Sequence, residues 1–173
     1  MRKIFITISL ALATPAHAEA LRFDSFLVGA EKCKPADAFA RFKDDVWKKY
    51  GQYSNAFVPL VEPQITVRIP PEIAAGFGRV RQIKKEGYTE VRVPVTATWG
   101  DLPLAAIEFN FGIENGISLY SIRFAARREA VVGAFGGRVA AAAKALERES
   151  IGTAGMSIEI SKDKPAIVCD SSN

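Results

Sequence analysis

The chain has 173 residues and a formal net charge of +4, a length that suits one ordinary hydrophobic core and is short for two domains. It contains one histidine and two cysteines, so sites built on several histidines or on clustered cysteines are excluded. No internal repeat, low-complexity segment or linker divides the sequence, and we expect a single domain.

The first 18 residues have the pattern of a cleavable secretory signal. Met1-Arg2-Lys3 is a short basic start, residues 4–13 are apolar, and Ala16-His17-Ala18 is of the Ala-x-Ala type that signal peptidase cleaves. The apolar run is too short to cross a bilayer core of roughly 30 Å as a helix. We therefore predict cleavage after Ala18, leaving one domain, residues 19–173, in the periplasm or secreted, with no membrane span.

Removal of the signal would change the charge and the chemistry of the chain. Arg2 and Lys3 leave with it, so that 21 basic residues remain against 19 acidic ones, and a net charge of +2 gives no reason to expect binding to nucleic acid or a membrane. His17 leaves as well, which excludes Ser-His-Asp and Cys-His catalysis and histidine ligation of a metal. No short loop holds clustered Asp and Asn residues, and we expect neither a metal nor a cofactor.

The first elements after the signal are predicted to be a strand and a helix. Residues 21–28 alternate between apolar and polar side chains well enough for a strand. Pro35 stands at the first turn of a predicted helix that ends at Gly51. Apolar residues follow at helical spacing inside it: Phe39, Phe42, Val46, Trp47 and Tyr50.

The start of this helix carries a short likeness to a known family. Cys33-Lys34-Pro35-Ala36-Asp37 resembles part of the Cys-Lys-Pro-His-Asp-Cys loop of a family of periplasmic lysozyme inhibitors. Ala36 and Ala38 stand where that family has its histidine and its second cysteine. Because both are missing, we carry no function over from the family, although an inhibitor belongs to the class of binding proteins.

Cys33 and Cys169 lie near opposite ends of the exported chain. In an oxidising compartment an even pair of cysteines is typical of a disulfide, which here would close a loop of well over a hundred residues. Two reactive thiols are the alternative, but the sequence has no Cys-x-x-Cys motif. We predict a disulfide between Cys33 and Cys169.

The apolar period changes to two between residues 64 and 124, which predicts strands. The first covers 64–69 and ends at two prolines. Strands 77–84 and 89–98 are joined by a turn at Glu86-Gly87, and strands 104–112 and 117–124 meet at Asn115-Gly116, the strongest short-range hairpin signal. These four strands are predicted to form two antiparallel hairpins.

The second hairpin can be checked against its side chains. If Asn115-Gly116 is a two-residue turn, Phe109 lies opposite Ile122 on an apolar face, and Glu108 lies opposite Arg123 on a polar face. A shift of one residue would mix the two faces, so the pattern favours this arrangement.

The last elements are a helix and a short hairpin. Apolar residues at helical spacing over 126–148 predict the helix. Gly136-Gly137 interrupts this pattern and leaves open whether the helix is continuous or divided. Residues 156–161 and 165–169 form the hairpin. The order β-α-β-β-β-β-β-α-β-β, with tight turns between paired strands, predicts an α+β fold: a mainly antiparallel sheet of six to eight strands with two helices on one face.

A row of arginines is predicted on the polar side of the sheet. If Glu86-Gly87 is also a two-residue turn, Arg81 lies opposite Arg92, and like charges opposed across strands are unfavourable. Glu90 nearby or an anionic partner would compensate, and a solvated face of splayed side chains is the alternative. The row consists of Arg68, Arg79, Arg81 and Arg92.

Trp99 lies at the predicted turn between the two hairpins, in the run Trp99-Gly100-Asp101. A tryptophan at the corner of a sheet is either an anchor for a partner or a hydrophobic residue that caps the core.

Two classes of function remain. The leading hypothesis is an exported, non-catalytic binding protein of the cell envelope, with inhibitors and immunity-type proteins included, whose partner is a protein or an anionic surface component. The alternative is a small envelope enzyme that uses carboxylates or Ser-Lys chemistry, but no carboxylate pair is singled out, and the glycine patterns lack the context of phosphate loops. The candidate binding residues are Arg68, Arg79, Arg81, Arg92 and Trp99.

Overall fold

A computed structural model describes residues 21–51, 60–62, 65–112, 116–149 and 156–172. The predicted signal at 1–18 lies outside these residues, as does Asn115 of the predicted turn. Within them the chain forms one antiparallel sheet of eight strands with two α-helices, which confirms the predicted α+β class.

The helices are α1, Asp37–Val46, and α2, Arg128–Glu149. Short 3-10 turns cover Ala30–Lys32 and Pro71–Gly76, and a π-helical turn, Trp47–Gly51, continues α1. The strands in chain order are β1 (Leu60–Glu62), β2 (Val80–Lys85), β3 (Tyr88–Pro94), β4 (Thr98–Trp99), β5 (Leu102–Gly112), β6 (Ser118–Phe124), β7 (Ser157–Ile160) and β8 (Ala166–Asp170). The order in the sheet is β1-β2-β3-β5-β6-β8-β7, with β4 paired to the start of β5.

The strand predicted over residues 21–28 is wrong. Arg22 forms an isolated bridge with Thr98, and the chain then turns into the first 3-10 segment. The side chains that this stretch buries share the spacing of a helical turn, in which residues three and four apart lie on one face. They are Phe23, Phe26, Leu27 and Ala30.

The strand predicted over 64–69 is also absent from the described residues 65–69. Hydrogen bonds in this segment go to side chains of α1 and the π-helical turn rather than to a neighbouring strand. The backbone N–H of Thr66 donates to the Tyr50 hydroxyl at 3.4 Å, and the Arg68 guanidinium donates to Asp45. The three-residue β1 occupies the place beside β2.

Both helices pack on the same face of the sheet. Phe39 of α1 lies with its ring centroid 5.3 Å from that of Tyr120 on β6 and 6.3 Å from that of Phe109 on β5. Phe135 of α2 lies 5.3 Å from Phe124, also on β6. Tyr120 and Phe124 are separated by four residues of one strand and therefore point to the same side. We call the opposite side, which neither helix covers, the open face.

The amino-terminal turns are tied to this packed side. Cys33 and Cys169 are bonded to each other, both buried, with Cα atoms 5.5 Å apart, and this is the predicted pairing. The buried Tyr120 hydroxyl donates to the carbonyl of Ala30 at 2.8 Å. Burial, reinforced by the nearby Glu31, raises the pKa of Tyr120, which keeps its hydroxyl protonated as a donor.

The β2–β3 hairpin has the predicted register. Arg81 faces Arg92, Gln82 faces Val91, and the turn at residues 86–87 has two residues, with φ of 79° at Gly87. A positive φ at this position is what a tight hairpin turn requires.

The β5–β6 hairpin has the predicted faces but a register shifted by two residues. Phe109 faces Tyr120, and Glu108 faces Ser121 rather than Arg123. Because side chains alternate with a period of two, a shift of two residues leaves every side chain on its predicted face. The face pattern therefore could not distinguish the two registers.

Helix α2 runs without a break through Gly136-Gly137, so the continuous helix is the correct alternative. Its buried side chains hold it on the sheet and on β7: Val131, Phe135, Val139 and Leu146.

Candidate functional site

The outward positions of successive strands build the open face. The register sets one row across it: Arg81 on β2 faces Arg92 on β3, which faces Glu108 on β5, and the row continues to Ser121 on β6 and Val168 on β8. Neighbouring strands lie about 4.8 Å apart, so each side chain in the row is within reach of the next. The polar face predicted for the second hairpin is thus part of one surface that extends across five strands.

Glu108 is the centre of an ion-pair cluster on the open face. Nη1 of Arg123 donates to Oε1 of Glu108 at 3.0 Å, and Nε of Arg92 lies 3.5 Å from the same oxygen. The Ser121 hydroxyl donates to Oε2 at 3.4 Å. The Glu108 side chain is 17% exposed, which weakens screening of both ion pairs by water. Two guanidinium groups share one carboxylate, so the cluster carries a net positive charge.

Glu90, one of the two alternatives for compensating the arginine row, forms no ion pair with it within the described residues. It lies two residues along β3 from Arg92, where it faces Ile83 on one side and Asn110 on the other. The carboxylate of Glu108 compensates Arg92 instead, because the pairing of β3 with β5 places them directly opposite.

Arg79 and Arg81 form an exposed pair that we call the arginine strip. The neighbours of Arg81 in its row are Val61 on β1 and Arg92 on β3, and neither offers a negative charge. Arg81 is exposed on β2, and Arg79, immediately before β2 and two residues away, is exposed as well. Within the described residues, neither guanidinium of the strip has an ion-pair partner.

Arg68 is not part of the row. Its Nε and Nη2 donate to the two carboxylate oxygens of Asp45 on α1, at 2.7 and 2.9 Å. These hydrogen bonds are the main reason why the pKa of Asp45 lies below its usual range. The predicted strand that would have placed Arg68 on the open face does not form. Arg68 instead links residues 65–69 to α1 through its hydrogen bonds to Asp45.

The Asp45–Arg68 pair predicts a dependence of stability on pH. A carboxyl whose pKa is lower in the folded chain stabilises the fold above its unfolded pKa of about 3.9, and the effect is lost as pH falls through the folded pKa. We expect Asp45→Asn to lower the melting temperature at pH 7, with the difference from the parent shrinking as the pH falls below about 4. Calorimetry across this range measures it, with Asp44→Asn, an exposed neighbour on α1, as the control. A constant difference between Asp45→Asn and the parent at every pH would contradict the assignment.

Trp99 is inside the core rather than at a binding surface. It is 4% exposed, its ring centroid lies 4.5 Å from that of Phe135, and it stacks on Phe124 at 5.9 Å. A ring enclosed by α2 and β6 cannot reach a partner, so the position of Trp99 fits the capping alternative.

A groove of about 440 Å³ lies on the open face between β3 and the connection from β7 to β8. Of the candidate residues chosen from sequence, Arg92 lines it. The outward positions of β5 and β6 could have been read from alternation, but the contribution of the β7–β8 connection could not. The charged side chains that line the groove are Glu90, Arg92, Glu108, Arg123, Asp163 and Lys164.

Among the described residues, no group of three or more His, Cys, Asp or Glu side chains is placed to hold a metal ion. In the same part of the chain, no helix is both long enough and apolar enough to cross a membrane. No protein-family model matches the sequence, and neither a curated protein nor a solved structure matches it.

Proposed function

We propose that this chain is an exported, non-catalytic binding protein of the cell envelope whose open face receives a partner with anionic groups. In this proposal residues 1–18 direct export, cleavage follows Ala18, and the disulfide suits an oxidising compartment. The observation that carries the proposal is the position of Arg81, which faces Arg92 on an uncovered sheet face and has no ion-pair partner in the described part of the chain.

The charge balance of the row supports this function. Like charges that face each other across two strands destabilise the pair. Glu108 offsets Arg92 but is already shared with Arg123, so it leaves no negative charge for the arginine strip. An anionic partner would remove this repulsion on binding. Guanidinium groups suit such a partner because they are planar, always charged and able to bind carboxylate or phosphate in a bidentate manner.

The shape of the surface favours a macromolecule. Arg81 stands on β2 and Arg79 immediately before it, so the backbone of the strip is already held by the sheet and less backbone freedom is lost on binding than from a mobile loop. We propose a protein partner with an acidic surface, such as an envelope enzyme or a toxin that the chain neutralises. An anionic envelope polymer is the other outcome that the experiment distinguishes.

We expect the double variant Arg79→Glu with Arg81→Glu to lose the partner. The immobilised parent is incubated with envelope extract, and bound material is eluted with salt and identified. Capture of the specific partner should fall at least about tenfold in the double variant, because each reversal replaces an attraction by a repulsion. Arg92 is left unchanged, since its reversal would place a second carboxylate beside Glu108 and disturb the fold.

The matched control is Lys144→Glu with Arg148→Glu, which makes the same change in net charge on exposed positions of α2. Capture should remain at the parent level in this control. Protease treatment of the eluate separates a protein partner from a polymer. If the strip variant captures the same material as the parent and melts at a higher temperature, the strip is only unrelieved repulsion on a solvated face, and the proposed surface is wrong.

A further inference from the structure

We infer that the groove on the open face is a site for a short peptide with both ends free. Its ammonium group would lie at Glu90 and its carboxylate at Arg123. This inference is independent of the partner proposed for the arginine strip, because it rests on different side chains, and the variants below allow either proposal to fail alone.

The sign of the charge changes along the groove. Its centre is positive, since Arg92 and Arg123 share the single carboxylate of Glu108, and Asp163 and Lys164 on the β7–β8 connection together add no net charge. Its β3 end is negative, because Glu90 has no ion-pair partner within the described residues and faces Asn110 rather than a cation. A simple anion would leave Glu90 unmatched, and a simple cation would leave the guanidinium groups unmatched. A ligand with one charge of each sign complements both.

The separation of the two ends sets the length of the ligand. Glu90 faces Asn110 on β5, and Arg123 faces Ala106 on the same strand. Four residues along a strand correspond to about 13 Å, and the two strand spacings from β3 across β5 to β6 add about 9.6 Å sideways, so the two Cα atoms lie roughly 16 Å apart. An extended peptide covers about 3.3–3.6 Å per residue. Both side chains line the groove, and that of Arg123 extends to Glu108 on β5, between the two ends, which shortens this gap. A peptide of about three residues therefore spans it, whereas a free amino acid cannot reach both ends.

The middle of the groove suits a peptide backbone. The amide of Asn110 can both donate and accept hydrogen bonds, and the Ser121 hydroxyl retains acceptor capacity beside its bond to Glu108. Leu119 and Val168 line the same groove and offer an apolar contact for a ligand side chain. The groove volume of about 440 Å³ lies within the range of small-ligand pockets.

The test uses alanyl-leucyl-alanine and two blocked forms of it, the N-acetylated peptide and the carboxyl-terminal amide. Calorimetric titration of the purified exported protein should show saturable binding of the free tripeptide. Each blocked form should bind at least about tenfold more weakly, because a lost charge-assisted hydrogen bond typically changes affinity by this factor or more.

The variant Glu90→Gln isolates the ammonium contact. We expect it to weaken binding of the free tripeptide to the level of the N-acetylated form and to leave the affinity for the N-acetylated form unchanged. If Glu90 had only a structural role, Glu90→Gln would weaken the binding of both peptides equally. The matched control is Glu147→Gln on α2, which should bind all three peptides as the parent does, and the arginine-strip double variant should do the same.

Three results would overturn the inference. The first is a lack of saturable binding of the free tripeptide at millimolar concentration. The second is equal affinity of the parent for the free and blocked peptides. The third is an equal loss of affinity for the free and the N-acetylated peptide in Glu90→Gln. None of these bears on the arginine strip, whose own test uses a different ligand and different variants.

Discussion

Replacing both cysteines, Cys33→Ala together with Cys169→Ala, should lower the free energy of unfolding by about 4 to 5 kcal/mol. The two residues are 136 positions apart, so the cross-link closes a very long loop and removes much of the conformational freedom of the unfolded chain. Alanine is the appropriate replacement because both side chains are buried, and a serine would add the cost of burying a hydroxyl.

Urea unfolding followed by the fluorescence of the buried Trp99 measures this change. The parent after reduction by a thiol serves as the control, and its unfolding midpoint should move close to that of the double variant. A variant that unfolds at the same urea concentration as the untreated parent would show that the cross-link does not form in the purified protein.

Phe26→Ala should destabilise the fold by about 3 to 5 kcal/mol, the usual cost of removing a fully buried phenylalanine ring. Four other aromatic rings surround Phe26, with centroids 5.5 to 5.9 Å away: Phe23, Phe39, Phe42 and Phe77. Residues from the amino-terminal turns, α1 and the segment before β2 meet at this ring. The cavity left by alanine would therefore remove contacts from three separate parts of the chain.

The control for this change is Val28→Ala, two residues along the chain and 55% exposed. It should change the free energy of unfolding by less than about 0.5 kcal/mol. Chemical unfolding of both variants gives the comparison. Equal effects at the two positions would contradict the helical-turn packing of residues 21–30 and would revive the alternating strand that the sequence predicted there.

In β2, β3, β5 and β6, local alternation predicts which side of the sheet a residue occupies. The two-residue turn also predicts the neighbours across β2 and β3, but alternation does not predict neighbours on strands without such a turn between them. Alternation along β5 predicts that Glu108 lies on the polar face, and the structure confirms this. Its contact with Arg92 could not be predicted, because β4 and a turn through Gly100 and Asp101 separate β3 from β5 in sequence. Pairing between strands that are not joined by a tight turn depends on the whole sheet.

The errors at residues 21–28 and 64–69 have one origin. Short segments with apolar residues at roughly alternate positions fit both a strand and irregular structure, and only tertiary contacts decide between them. Phe26 and Leu27 are adjacent and both buried, which a strand with one covered face cannot achieve. In the second segment the bidentate Asp45–Arg68 pair fixes the chain without any strand pairing.

The contacts of Glu108 argue against a catalytic role for this one carboxylate. General acid–base work requires a carboxyl group that is free to exchange a proton with a substrate. Both oxygens of Glu108 are engaged, by Arg92 and Arg123 on one side and by Ser121 on the other. The Ser121 hydroxyl is directed to this carboxylate rather than to a lysine, which also disfavours Ser-Lys chemistry at this position.

Photo-crosslinking in envelope extract tests most directly the proposal that the open face binds a partner. A benzoylphenylalanine residue is introduced in place of Ile83, which lies on the open face beside the arginine strip, and in a second protein in place of Ala140, an exposed residue of α2. Irradiation should give a discrete adduct from position 83, no adduct from position 140, and no adduct from position 83 when Arg79→Glu and Arg81→Glu are added. An adduct from position 140 without one from position 83 would contradict binding at the open face.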